Sequence, residues 1–327
     1  MKKSLFGIIS TAVLFAAISG PVQAAAHSKC GDVSITEMNW ASSQFITEVA
    51  KFLMEQGYGC KVTKVPSATV TAAASLAENG QPDIATEMWV NSAPVYQKLV
   101  KDGKVVSAAK VFSDGGEEGW WIPKYLAESN PELTKIEGIL ANPAAVGGRF
   151  HNCPVGWGCR ITNDTYVEAY EFAKNKMEVF NHGSGETLAT SIAEAYTSKK
   201  PWFGYYWGPT AVLGKYDMVK VDVGPYNKAN HDCAAKKVCD KPGKSSWPAA
   251  PVETAITHAF SKSNPEIAEL MSKMTFSNLQ LNTVLAWKKD NKASAEETAV
   301  TFIQGNSDVW STWLNPAAKK KLAALIK

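Results

Sequence analysis

Residues 33–89 alternate twice between strand-like and helix-like patterning, and this stretch limits the possible folds more than any other part of the chain. Val33–Met38 reads as a strand, after which Ser42 or Ser43 caps a helix whose apolar positions Phe45, Val49, Phe52 and Leu53 share one face and which stops at Gly57. Lys61–Val65 is the next strand, Val70–Ala77 the next helix, ended by Asn79-Gly80, and Asp83–Met88 a third strand that runs into Trp89. Two successive βαβ units require a parallel sheet with right-handed crossovers. Ligands of such sheets bind beyond the carboxyl ends of the strands, where Trp40 and Trp89 both fall.

A similar unit begins near Trp120. Ala144–Gly147 is expected to be a strand, Asp164 to cap a helix reaching Met177, and Ser184 to cap another through Leu188, Ile192 and Tyr196. Trp202–Trp207 then reads as a buried strand, Tyr216–Val223 as one more, and residues 225–248 as a polar connection rich in Lys, Pro and Gly. Val252–Phe260 is a further expected strand, Pro265 opens a helix at its first turn, and Asn306 or Ser307 caps residues 308–314. Removing an export signal would leave about 300 residues, more than one core comfortably holds. The expectation is therefore an α/β protein of two lobes, each a mostly parallel sheet flanked by helices, with a cleft between them. Residues 27–118 and 224–327 are assigned to the first lobe and 119–223 to the second.

The first residues explain the subtraction. Met1-Lys2-Lys3 is basic, residues 5–18 are apolar but too few to span a bilayer comfortably, and Val22-Gln23-Ala24 or Ala24-Ala25-Ala26 offers small residues to a signal peptidase. Residues 1–26 thus read as a cleaved signal peptide, and the destination as the periplasm or exterior. Cys30 follows His27-Ser28-Lys29 rather than a lipoprotein-type site, so a soluble protein is expected. Six cysteines suit an oxidising compartment, and fifteen full pairings are formally open. Pairing of neighbours (Cys30 with Cys60, Cys153 with Cys159, Cys233 with Cys239) is attractive because each bridge would stiffen a loop or a sheet edge. The spacings lack the short knuckles of structural zinc, and Asp232 and Asp240 are too few for a calcium site, so no metal is expected. The net charge of +3 falls once Lys2 and Lys3 are removed, and the remaining cations are mixed with acids, which excludes a nucleic-acid-binding face.

Of 11 tryptophans most must serve packing; Trp121, Trp202, Trp247, Trp287, Trp310 and Trp313 are so assigned. Trp89, Trp157 and Trp207 differ in lying within tight Gly, Pro or aromatic settings far apart in the chain. Gly156 and Gly158 leave bare backbone around Trp157, which a core indole does not need. Indole faces gathered from separate segments form a cage for a methylated ammonium group, which has no N–H to donate and is held by ring quadrupoles. Trp40 is a fourth candidate wall.

These segments, namely Cys153-Pro-Val-Gly-Trp-Gly-Cys159, the stretch around Trp89 and Tyr205-Tyr-Trp-Gly-Pro209, resemble in order and spacing the substrate-binding proteins of ABC transporters for glycine betaine, proline betaine and choline-like compounds. The resemblance covers nearly all of the chain after its signal. It implies a two-lobed type II periplasmic binding protein, a monomer without cofactor, serving a membrane permease and its ATPase. It also implies box tryptophans at Trp89, Trp157 and Trp207, with Trp157 inside a disulfide-bridged loop and the N–H groups of Gly158 and Cys159 offered to a ligand oxyanion. Betaine binders often carry a His shortly after the first box tryptophan, whereas here Val90–Tyr96 has none. Acids lie nearby instead: Glu37, Glu87, Glu117 and Glu118. A carboxylate beside the cage would attract a cation and oppose a buried ligand carboxylate, which shifts weight toward trimethylamine N-oxide, choline or another methylated amine without excluding betaines. A solvated side chain is the competing reading for each acid.

No G-x-S-x-G elbow, P-loop or H-E-x-x-H motif is present, and Ser184 sits where a helix cap belongs, so an enzyme is not expected. His151, His231 and His258 are isolated in sequence and read as structural. The remaining alternatives are a sensor of the same fold serving a chemoreceptor or kinase, and a secreted hydrolase.

Overall fold

The computed structural model describes residues 30–325; the expected signal peptide lies outside the described residues. Ten strands are found: β1 Asp32–Met38, β2 Lys61–Ser67, β3 Ile84–Trp89, β4 Val105–Lys110, β5 Glu117–Pro123, β6 Arg149–Asn152, β7 Glu178–Asn181, β8 Gly204–Gly208, β9 Met218–Lys220 and β10 Val252–Thr257. They form two five-stranded sheets, ordered β2-β1-β3-β10-β4 and β7-β6-β8-β5-β9. Within the first, β1 is parallel to β2 and β3, while β10 returns antiparallel to β3 and β4. The second repeats the plan, with β6 parallel to β7 and β8, and β5 antiparallel to β8 and β9.

Each sheet has its own aromatic core. Phe45, Phe276, Phe302 and Trp313 pack together under the first, Phe45 edge to face on Phe276 and Phe302, and Phe276 edge to face on Trp313. Under the second, Trp120 is fully buried among Phe150, Tyr166, Tyr170, Phe172, Phe203 and Trp247. The chain passes between lobes twice, after β4 and before β10, and the two crossings pair through Gly116 N–H to Ala250 O at 2.7 Å and Ala250 N–H to Gly116 O at 3.0 Å. A Cβ on Gly116 would run into the ring of Trp89, so glycine lets the crossing pass directly beneath that indole.

Three disulfides join Cys30 to Cys60, Cys153 to Cys159 and Cys233 to Cys239. The first ties the start of β1 to that of β2, which lie in register as parallel neighbours.

Several expectations are corrected. Pro143–Val146 forms a 3-10 turn rather than a strand, because Pro143 fixes its first position; the strand is β6, five residues on from the expected Ala144–Gly147. The helix expected from Asp164 to Met177 runs instead from Gly158 to Ala169, and Asp164 lies inside it, held by Arg160 at 2.8 Å. The segment 216–223 contributes only β9, and β10 ends at Thr257, whose hydroxyl caps the helix His258–Ser263. The helix at Ala41–Leu53 begins from Trp40 rather than from a serine cap. Residues 225–249, assigned from sequence to the first lobe, pack on the second, where His231 bonds Tyr166 and Trp247 meets Trp120.

Candidate functional site

The carboxyl ends of the central strands meet across the cleft. Trp89 is the last residue of β3, and Trp40 precedes the helix that follows β1 in an extended conformation that turns its ring inward. Trp157 occupies the same position before the helix Gly158–Ala169, and Trp207 projects from β8. All four are at most 7% exposed. Trp157 stands at 70° to Trp40 and at 83° to Trp207, with both pairs of ring centres 5.0 Å apart, so the rings form corners rather than a stack. With Thr69, Ser92, Glu118, Gly158, Cys159 and Tyr205 they line a small pocket between the lobes.

The lobes touch around this cavity. Trp157 Nε1 donates to Asn39 Oδ1 at 2.6 Å, and the Val70 N–H donates to Gly156 O at 3.1 Å. Gly158 lies so close to the backbone of Ser92 that a side chain there would hold the lobes apart. The helix starting at Gly158 has no intrahelical acceptors for its first N–H groups, those of Gly158 and Cys159, and both residues line the cavity. This end of the helix favours negative charge.

Two carboxyls sit here in different roles. Glu118 is on β5 directly opposite Trp207 of β8 and lines the cavity, as the one charged residue type on its wall. Its Oε1 accepts from the Tyr205 hydroxyl at 2.8 Å, while Oε2 is buried without a protein partner. Burial pushes its carboxyl up to about 7 against the lowering effect of the Tyr205 bond and of Lys220. Glu87 lies behind the wall: its Oε1 accepts from Trp40 Nε1 at 2.6 Å, Trp89 Nε1 at 2.9 Å and the Ser42 hydroxyl at 3.1 Å. Burial again dominates and pushes its carboxyl up to about 7. The other two acids are elsewhere, Glu37 on Lys64 at 2.7 Å and Glu117 on Lys220 at 3.0 Å.

The structure thus brings together Trp40, Trp89, Trp157, Trp207, Gly158, Cys159 and Glu118, and places Glu87 one ring behind. Tyr205, Thr69, Ser92 and Asn39 were not singled out from sequence. Tyr205 was within reach, since it stands two residues before Trp207 and a strand returns to the same face every second residue. Thr69, Ser92 and Asn39 carry no such mark. Of the histidines, His151 bonds His182 at 2.9 Å and His231 bonds Tyr166 at 2.8 Å, away from the cavity, while His258 is exposed.

Residues 31–305 match the family model for the substrate binding domain of ABC-type glycine betaine transport systems. The chain is 24% identical over 243 residues to the glycine betaine/proline betaine-binding periplasmic protein of Escherichia coli (strain K12), covering 69% of this chain and 70% of that one. It is 22% identical over 325 residues to the trimethylamine N-oxide-binding protein of Pelagibacter ubique (strain HTCC1062), covering 94% and 98%. Among solved structures, a choline-binding ABC-transporter protein in complex with choline superposes with a TM-score of 0.72 at 17% identity, covering 91% of this chain and 99% of that one. The glycine betaine/L-proline-binding protein of Borrelia burgdorferi also gives 0.72, at 18% identity over 89% and 99%.

Proposed function

The chain belongs to the family of substrate-binding domains of ABC-type glycine betaine transport systems, and from that premise we propose that it captures a small methylated ammonium compound between its lobes. The observation that carries this is the cavity itself: four indoles, three of them set in corners, with one carboxyl on the wall. A trimethylated cation presents its methyl faces to the rings and its charge to Glu118, and it needs no N–H partner. In this reading the loaded protein works in the periplasm and hands its ligand to a permease driven by an ATPase. The family is one of transport proteins rather than enzymes.

The polar end of the ligand decides among candidates. A hydroxyl or N-oxide oxygen would pair with Glu118 Oε2 or the Ser92 hydroxyl, which are buried without protein partners. Leaving such groups unpaired costs about 1–3 kcal/mol each, so a ligand that pairs them gains accordingly. A carboxylate instead fits the N–H groups of Gly158 and Cys159. Calorimetric titration of the protein with choline, trimethylamine N-oxide, glycine betaine, carnitine and dimethylsulfoniopropionate tests the reading. One-to-one binding of at least one of them, with no response to glycine, is expected; no binding by any member would sink it.

A further inference from the structure

Glu87 forms no part of the cavity wall, yet its carboxylate joins two of the four rings that do. A single oxygen, Oε1, receives the indole N–H groups of Trp40 and Trp89 and the hydroxyl of Ser42. Three donors converging on one oxygen leave no room for a proton there. Oε2 is buried with no protein partner, and burial pushes the carboxyl up to about 7, so the ionised form that the three donors favour is the main form only above that pH. Above that pH the group is a carboxylate held by neutral donors, with no cation in ion-pair contact among the described residues. Charged groups on the surrounding elements are engaged elsewhere: Glu37 and Glu48 with Lys64, Glu253 with the Tyr96 hydroxyl, and Asp83 with Ser34. Glu118, across the cavity, pairs with Tyr205.

An indole N–H bonded to an anion shifts electron density into its ring, and a cation over the ring face responds to that density. We propose that Glu87 is a positioning residue that orients Trp40 and Trp89 and, through their N–H groups, makes the cage prefer a cation over a neutral group of the same shape. The proposal rests on reading the cavity as a cage for a methylated ammonium group. A buried charge without a counter-ion weakens the empty protein. The arriving cation compensates it one ring away, so part of the binding energy comes from a residue the ligand does not touch.

The test compares choline with its neutral carbon analogue, 3,3-dimethylbutan-1-ol, by titration calorimetry on wild type and Glu87→Gln. Glutamine keeps an acceptor for the indoles and removes the charge. Choline should bind roughly tenfold more weakly to the variant while the neutral analogue changes little, because only the charge-dependent part is lost. In a Trp40→Phe, Trp89→Phe background, where no N–H links Glu87 to the rings, the same substitution should lose most of its effect on choline. Equal weakening of both compounds would reduce Glu87 to a scaffold residue and overturn the proposal, as would an unchanged preference for choline. A measurement on the unaltered protein stands beside it: choline should move the Nε1–H resonances of Trp40 and Trp89 together, and by more than the neutral analogue does. Identical shifts with both compounds would overturn the proposal even where the glutamine variant fails to fold. Failure of wild type to bind choline or any other methylated cation would remove the cage and this proposal together, whereas normal binding with an unaffected Glu87→Gln variant removes only the role of Glu87.

Discussion

Each cage residue is held by something other than the ligand. Trp157 is anchored through Asn39, Trp40 and Trp89 through Glu87, and Trp207 is flanked on its own strand by Tyr205 in a nearly parallel arrangement at 6.4 Å. Rings fixed in this way need little ordering when a ligand arrives. A desolvated cation–π contact is worth about 2 kcal/mol, so Trp89→Ala, Trp157→Ala and Trp207→Ala should each weaken binding at least roughly tenfold by calorimetry. Wild-type affinity in two of the three would contradict the cage. Glu118 adds a pH dependence whose sign can be worked out. Its folded value of about 7 lies above the ordinary carboxylate value, so the folded protein holds this proton more tightly than the unfolded chain does. The stability it contributes is present in acid and is lost as pH rises through about 7. A cation prefers the ionised forms, and Glu87 titrates in the same range, so choline affinity should rise between pH 5 and 8, the rise should shrink in Glu118→Gln, and it should flatten when Glu87→Gln is added. An N-oxide, which accepts from the protonated acid, should show the opposite slope. Equal affinities across that range for both ligands would remove Glu118 from the site.

At the scale of elements, the helix Gly158–Ala169 is the piece on which most depends. Its first residue faces the other lobe and its second is Cys159, bridged to Cys153 at the end of β6. The bridge closes a loop of few residues and should add about 2 kcal/mol to stability by chain entropy. Its larger effect is to hold Trp157 at the lip of the cavity. A Cys153→Ser, Cys159→Ser variant should therefore keep most of its melting temperature and bind clearly more weakly; unchanged affinity would assign Trp157 to packing. Much of this region was legible in the chain, because bare glycines around a tryptophan between two cysteines have few other uses. The helix start was not legible, since Asp164 resembles a cap and the true cap position holds Trp157, whose side chain caps nothing. The strand predicted at Ala144–Gly147 failed for a related reason: an apolar run read as a strand, but Pro143 curls it into a turn. β1 to β3 were readable because alternation, caps and glycine stops agree there, while β4 and β7 are short, largely exposed strands with weak patterning. Glu118 was visible as an acid near a tryptophan; its alignment with Trp207 comes from antiparallel pairing that local sequence does not encode.

For the whole molecule, the two sheets share a plan and are joined by two paired crossings at Gly116 and Ala250, a narrow connection about which lobes can rotate. Beyond that connection the lobes meet where Trp40 packs on Trp157, where Asn39 accepts from Trp157, and where Lys215 lies 3.2 Å from Asp290. The exposed ion pair contributes little, and a ligand bridging the lobes adds contacts that only the closed state makes, so it shifts the balance toward closure. Solution scattering with saturating ligand should fit the closed structure described above, and without ligand should give a larger radius of gyration. Identical profiles would place the pocket in a rigid body. The central claim is that indole faces, rather than hydrogen bonds, select the ligand headgroup. It is tested most directly by calorimetric affinities for the series ammonium, methylammonium, dimethylammonium, trimethylammonium and tetramethylammonium. Each added methyl removes an N–H donor and adds surface against the rings. The account predicts affinity that climbs along the series to its methylated end; affinity that falls with methylation, or is the same for every member, would contradict it.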